Sequence, residues 1–254
     1  MTRTRTIALT LLVIAAIAVG GYIAYDQVLR GDDVASLALP SSAPSADTGA
    51  VAPTLAPAPT DPAGTSTAPS SDGSVDGEWT IGAGSVAGYR VREQLANLPA
   101  ESDAVGRTED VSGSITVATD GDAAKLTAGA LTVDTTTIQS DESRRDNRLR
   151  KEGLQTDQYP TATFTITQAV DVPAAALAGT ASDVTLIGDL TLHGVTKSVQ
   201  IPAKAQLADG KIQVAGSTTF PLSDFGITPP NVGGFILSIS DEGTLEFLVS
   251  FEKS

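Results

Sequence analysis

The chain has 254 residues, a formal net charge of −14, no cysteine and a single histidine. Disulfides, thiol catalysis, thiolate zinc sites and multi-histidine metal sites are therefore excluded. The acidic balance argues against nucleic acid as a partner, because phosphate binding needs a basic footprint.

In chain order, residues 1–6 are a short stub carrying Arg3 and Arg5, and residues 7–25 run for 19 positions without a charge. At about 1.5 Å rise per residue such a run reaches roughly 28 Å as a helix, close to one bilayer core. The flanking arginines predict a cytoplasmic N-terminus and an extracytoplasmic remainder. The expectation is an uncleaved, single-pass signal-anchor in the cell membrane. The alternative is a signal peptide cut near Ala16–Ala18, which would release the same domain as a secreted protein. Residues 26–77 shift to Ala, Pro, Ser, Thr, Gly and Asp. They show no apolar periodicity and read as a disordered linker that cannot bury enough area to offset its ordering entropy.

Residues 78–254 form one domain with 13 basic and 23 acidic side chains, a net charge of −10. Eight alternating or β-rich runs are expected near 84–93, 108–118, 124–133, 161–169, 181–193, 196–207, 211–221 and 243–252. Asp120-Gly121-Asp122, His193-Gly194 and Asp209-Gly210 supply tight-turn chemistry between them. Short, regularly spaced strands with such turns predict an all-β sandwich or closed barrel. An eight-stranded barrel has an interior that side chains just fill, or that holds one small ligand. Along 181–193, Val184, Leu186, Leu190 and Leu192 share one face. Near the C-terminus Leu245, Phe247, Val249 and Phe251 alternate with Glu246, Leu248, Ser250 and Glu252. Residues 94–107 are polar and read as a loop at the rim.

One segment breaks the β pattern. Residues 140–152, with acids at the front, bases at the back and Gly153 as a stop, predict a short surface helix. Its Arg144, Arg145 and Arg148 read either as solvated bases or as a cationic collar for an anionic headgroup.

Three motifs lack the context their chemistry needs. "GAGSVAG" at 82–88 has the shape of a dinucleotide fingerprint but opens a strand rather than a helix. "TDGDAA" at 119–124 lacks the later ligands of a calcium loop. His193 could serve a hydrolytic triad, yet no Gly-x-Ser-x-Gly elbow accompanies it, and a histidine beside a hairpin glycine more often bonds backbone.

Four further stretches carry a resemblance. "DESRRDNRLRKEGLQTDQYPTATF" (141–164) resembles the Arg-Asp-x-x-Leu-Arg helix and Tyr-Pro-x-x-x-Phe segment of the YceI-like family. "IGDLTLHGVTKSVQI" (187–201) is similar to its hairpin, and "LSDFGI" (222–227) to its Ser-Asp-Phe-Gly-Ile segment. "GTLEFLVSFEK" fits the closing strand. Asn147 stands where that helix often has His, and Ser198 where the hairpin often has Pro. The resemblance implies an eight-stranded antiparallel lipocalin-like barrel that stores or carries an isoprenoid lipid, polyprenyl or quinone, with no catalytic apparatus and no other cofactor. On that basis the tunnel lining is expected to include Phe164, Ile166, Val184, Leu186, Leu190, Leu192, Ile201, Val214, Phe220, Phe247 and Val249. Arg144, Arg145 and Arg148 are expected at the mouth. A surface interaction module with no ligand is the alternative, a hydrolase using His193 a more distant one. The oligomeric state stays open, a dimer included.

Overall fold

The computed structural model describes residues 34–40, 74–95, 101–229 and 236–254. Among them no helix is long and apolar enough to cross a membrane. The expected 7–25 anchor lies outside the described residues, as does most of the 26–77 linker.

Twelve strands form one antiparallel sheet that closes on itself. They are β1 (Gly77–Ile81), β2 (Val86–Leu95), β3 (Glu101–Thr108), β4 (Val111–Asp120), β5 (Ala123–Asp134) and β6 (Gln139–Ser140). Then follow β7 (Thr161–Ile166), β8 (Val170–Val172), β9 (Ser182–Leu192), β10 (Val195–Ala208), β11 (Lys211–Pro221) and β12 (Ile236–Lys253). Two pairs are halves of longer staves. β1 and β2 are separated by a turn at 82–85, and β3 and β4 by Glu109–Asp110. Their pairings, Thr80 with Ser114 and Ala87 with Thr108, keep almost one register through both breaks. Counted as staves, the barrel has eight strands, and β12 closes it against both halves of the first stave, Ile81 opposite Phe251 and Phe247 opposite Ala87.

The first break is repaired locally. The Ser85 hydroxyl accepts from the Ser250 amide at 3.0 Å and lies 2.9 Å from the Gly82 carbonyl, so β12 loses no partner where β1 gives way to β2. Two hairpin turns follow their sequence chemistry: His193 and Gly194 both have positive φ, as do Asp209 and Gly210. Two-residue turns of that hand match the twist of the flanking strands.

Of the expected rim loop 94–107, Gln94 and Leu95 end β2, and Glu101–Thr108 is strand β3, paired along its length with β2. Ala104, Val105 and Gly106 are consecutive buried residues. Both faces of β3 are covered, so the alternation that betrays a half-buried strand is absent from its sequence.

One end of the barrel is packed shut. Trp79 is buried and its indole N–H donates to the Val75 carbonyl at 2.9 Å. Val170, Val214, Phe251 and Ala176, from the short helix Ala174–Leu177, complete that plug. The opposite end carries helix α1 (Ser143–Arg148), which runs on as a wider turn through Leu149–Gly153. The Glu142 carboxylate caps its start by accepting from the Arg144 amide. The expected helix is thus present, shorter at its front, with Gly153 inside its last turn.

Candidate ligand cavity

Inward side chains are large at the plugged end and sparser toward α1, where Ala87, Ala104 and Ala162 face the interior. The result is a cavity of about 860 Å³ between α1 and the barrel's middle. That volume lies within the range of small-molecule sites. Of the expected lining, Phe164, Leu186, Leu190, Leu192, Ile201, Phe220, Phe247 and Val249 border it. Three residues do not. Val184 and Val214 border a separate void of about 50 Å³ in the plugged end, and Ile166 borders neither, packing toward Gly129. Each faces inward, but the inner face of a long strand serves both plug and cavity, and only position along the axis separates the two.

The cavity also takes residues from β2, β3 and the 135–154 connection: Tyr89, Val91, Glu93, Ala104, Ile138, Leu149 and Leu154. The period-two reading of "AGYRVRE" contains Ala87, Tyr89, Val91 and Glu93. Following it would have required a carboxylate inside the barrel.

That carboxylate has a partner. Glu93 is buried and accepts from Arg145 Nη2 at 2.7 Å, joining β2 to α1 across the mouth. Arg145 also pairs with Asp141. Burial works against the charged guanidinium, but the hydrogen bond and charge of Glu93, then Asp141, outweigh it and raise its pKa. Asp146 is buried on the same turn, its carboxylate accepting from both the amide and the hydroxyl of Ser140. Helix α1 is therefore fastened to the mouth by buried acids rather than laid loosely on the surface.

Arg144, Arg145 and Arg148 all border the cavity. Arg145 is spoken for by two carboxylates, which takes it out of the expected collar of free charge. Arg144 and Arg148 are exposed and have no side-chain polar partner among the described residues. Asn147 also borders the cavity and accepts from Arg150. Beside Arg145, the Tyr89 hydroxyl and Arg145 Nε are buried without a hydrogen-bond partner among the described residues. Burial pushes the Tyr89 phenol up to about 12, with Arg145 opposing and Asp146, Glu93 and Asp141 reinforcing. The phenol stays neutral, a donor at the polar end of an otherwise apolar space.

His193 is not at the cavity. Its Nδ1 lies 3.1 Å from the carbonyl of Phe225, which makes the carbonyl the acceptor, and its ring sits 4.5 Å from that of Tyr159. Phe225 belongs to a 3-10 turn, Leu222–Phe225, and is only 1% exposed. Lys197 pairs with Asp224 at 3.0 Å beside it. The tyrosine-proline, histidine-glycine and serine-aspartate-phenylalanine motifs thus meet at one corner of the barrel, where they fasten three connections together. The expectation of a backbone-bonded turn histidine holds, though the carbonyl belongs to a neighbouring connection rather than to its own hairpin.

Curated relatives include UPF0312 proteins of Shewanella baltica and Shewanella oneidensis, each 37% identical over 133 residues. Those alignments cover 48% of this chain and 63% of the relatives' own length. Among solved structures, a polyisoprenoid binding domain from Saccharophagus degradans implicated in plant cell wall breakdown is similar in fold, with a TM-score of 0.52. It covers 70% of this chain and 99% of its own, at 19% identity. The model of the YceI-like domain matches residues 79–251, and the chain belongs to that family.

Proposed function

We propose that this domain is a lipid-binding barrel holding one long-chain isoprenoid lipid, of polyprenyl or quinone type, for storage or transport. The observation that carries the reading is the apolar cavity of about 860 Å³ beneath α1. The structural neighbour described as polyisoprenoid-binding supports the ligand class. Each methylene removed from water contributes about 0.8 kcal/mol, so a prenyl chain can bind tightly through burial alone. The headgroup rests at the α1 end, near Tyr89, Arg144 and Arg148. Anchorage by residues 7–25, with the barrel outside the cytoplasm, is part of the same proposal and rests on the uncharged run and its arginine flank. A ligand-free interaction module calls for a filled interior, and this interior is open.

The test is lipid mass spectrometry on the full chain extracted from its native membranes and purified. A stoichiometric prenyl lipid is expected. A chain that carries none, and takes up no added polyprenol or isoprenoid quinone, overturns the reading. Membrane residence is tested separately: the full chain should stay with membranes through a high-salt, alkaline wash.

A further inference from the structure

The outer wall of the barrel holds a charge cluster that the cavity does not use. Glu246 points outward from β12, opposite Ser217 of β11, yet its side chain is only 2% exposed. Two arginines cover it. Arg107 reaches it from β3 through Nε and Nη2, at 2.9 and 2.7 Å, and Arg90 approaches from β2 at 3.6 Å while holding Asp103 at 3.1 Å. Arg107 must cross β2 to arrive, and Gly88 leaves the gap: a Cβ there would stand 2.8 Å from Arg107 Cγ and 2.2 Å from the Gly106 carbonyl.

With Arg92, which shares Asp103 and pairs with Glu101, three carboxylates balance three guanidiniums, so the cluster has no net charge to offer. It does have spare donors, since each guanidinium carries five N–H groups in a fixed fork. Those donors are met by the chain's own linker. Arg90 Nη2 donates to the Val34 carbonyl at 2.7 Å, and Arg107 Nη2 donates to the Ala35 carbonyl. Leu37 and Leu39, just beyond, are half-buried, unlike their exposed neighbours Ser36, Ala38 and Pro40.

We propose that the Glu246–Arg90–Arg107 cluster is a built docking site for residues Val34–Pro40, which makes this segment a strap on the barrel's outer wall. Ser74, just before β1, is held to the barrel as well, its carbonyl accepting from Lys253. In the sequence, eight positions, 26–33, separate this segment from the uncharged run. Eight residues reach at most about 28 Å fully extended. An undocked linker over 26–77 would average roughly 40 Å as a coil and could stretch several times further. Given the membrane-anchor reading proposed above, the docked strap keeps the lipid cavity within one short leash of the bilayer.

The natural absence of cysteine allows a direct test. Spin labels are placed at Ser36→Cys and Ser217→Cys in the full chain, held in lipid nanodiscs, and their separation is measured by pulsed electron resonance. A single narrow distance is expected. With the segment undocked, about 40 residues of coil between position 36 and β1 would spread that distance around roughly 35 Å, and a broad distribution in the parent chain overturns the proposal. The narrow peak should be lost in Arg90→Gln/Arg107→Gln. Because that double variant leaves Glu246 buried without its partners, a linker variant, Leu37→Ser/Leu39→Ser, tests docking with the barrel untouched. A narrow peak that survives both also overturns the proposal. So does a peak seen only when singly labelled Ser36→Cys and Ser217→Cys chains are mixed, since the strap would then pass between copies. The leash is read separately, by quenching of a dye at Ser217→Cys by headgroup-labelled lipid. If the chain fails to enter the bilayer, the anchor reading falls while the label distance still judges the docking.

Discussion

Tyr89 shows how one buried phenol couples the cavity to pH. In an unfolded chain a tyrosine ionises near pH 10, whereas burial pushes the Tyr89 phenol up to about 12. Between those values the unfolded chain releases a proton that the folded chain keeps. Stability is therefore intact below about pH 10 and falls as pH rises toward 12, by on the order of 2 kcal/mol. Tyr89→Phe should flatten that alkaline decline, read as urea midpoints across a pH series; parallel slopes in the two proteins would refute the assignment. His193 belongs to the same scale with the opposite meaning. His193→Ala should cost about 1–2 kcal/mol through the lost bond to Phe225 while leaving lipid retention at the parental level. A selective loss of lipid with unchanged stability would return His193 to the functional site.

Among the elements, helix α1 carries the most consequence, because its place over the cavity depends on the ion pair between Arg145 and Glu93. Glu93→Gln keeps the shape but removes the charge that holds the half-buried Arg145, at a cost of about 2 kcal/mol, the worth of a hydrogen bond between charged groups. Bound lipid should then exchange several-fold faster, measured by displacement with a fluorescent polyene lipid, whereas an unchanged rate would mean that α1 does not gate the mouth. The helix was legible from its charge order and its glycine, but its seat was not. Their charge alone would place Glu93 and Asp146 in solvent, although Glu93 keeps the inward period of Ala87, Tyr89 and Val91, and both are buried. Strand β3 escaped for a related reason: Val105 is buried on its outward face as Ala104 and Gly106 are on its inward one, so apolar and polar positions do not alternate. The same blind spot covers Glu246, whose burial on the outside of a barrel depends on two arginines brought from other strands.

For the molecule as a whole, the open interior is the property on which the proposed function turns, and it can be filled. Ala162 faces the cavity from β7 and is buried. Ala162→Phe should leave the barrel folded, with unchanged circular dichroism, and reduce polyprenol uptake at least tenfold. Undiminished uptake would place the lipid elsewhere.

What the amino-acid sequence determined by itself was the barrel. Period-two patterning assigned most inner faces, paired positive-φ residues set the hairpins, and three short motifs pointed to the family. Those are local signals, written within a few residues of one another. Tertiary structure alone decided where along its axis the barrel is plugged, why Val184 and Val214 support the fold while Leu190 and Phe247 face a void, and how α1 is held over it. It also decided that Arg107 crosses Gly88 to meet Glu246 and the linker. Each of these depends on side chains from distant strands meeting at a particular height, and a single strand's pattern carries its face but not the height at which its neighbours arrive.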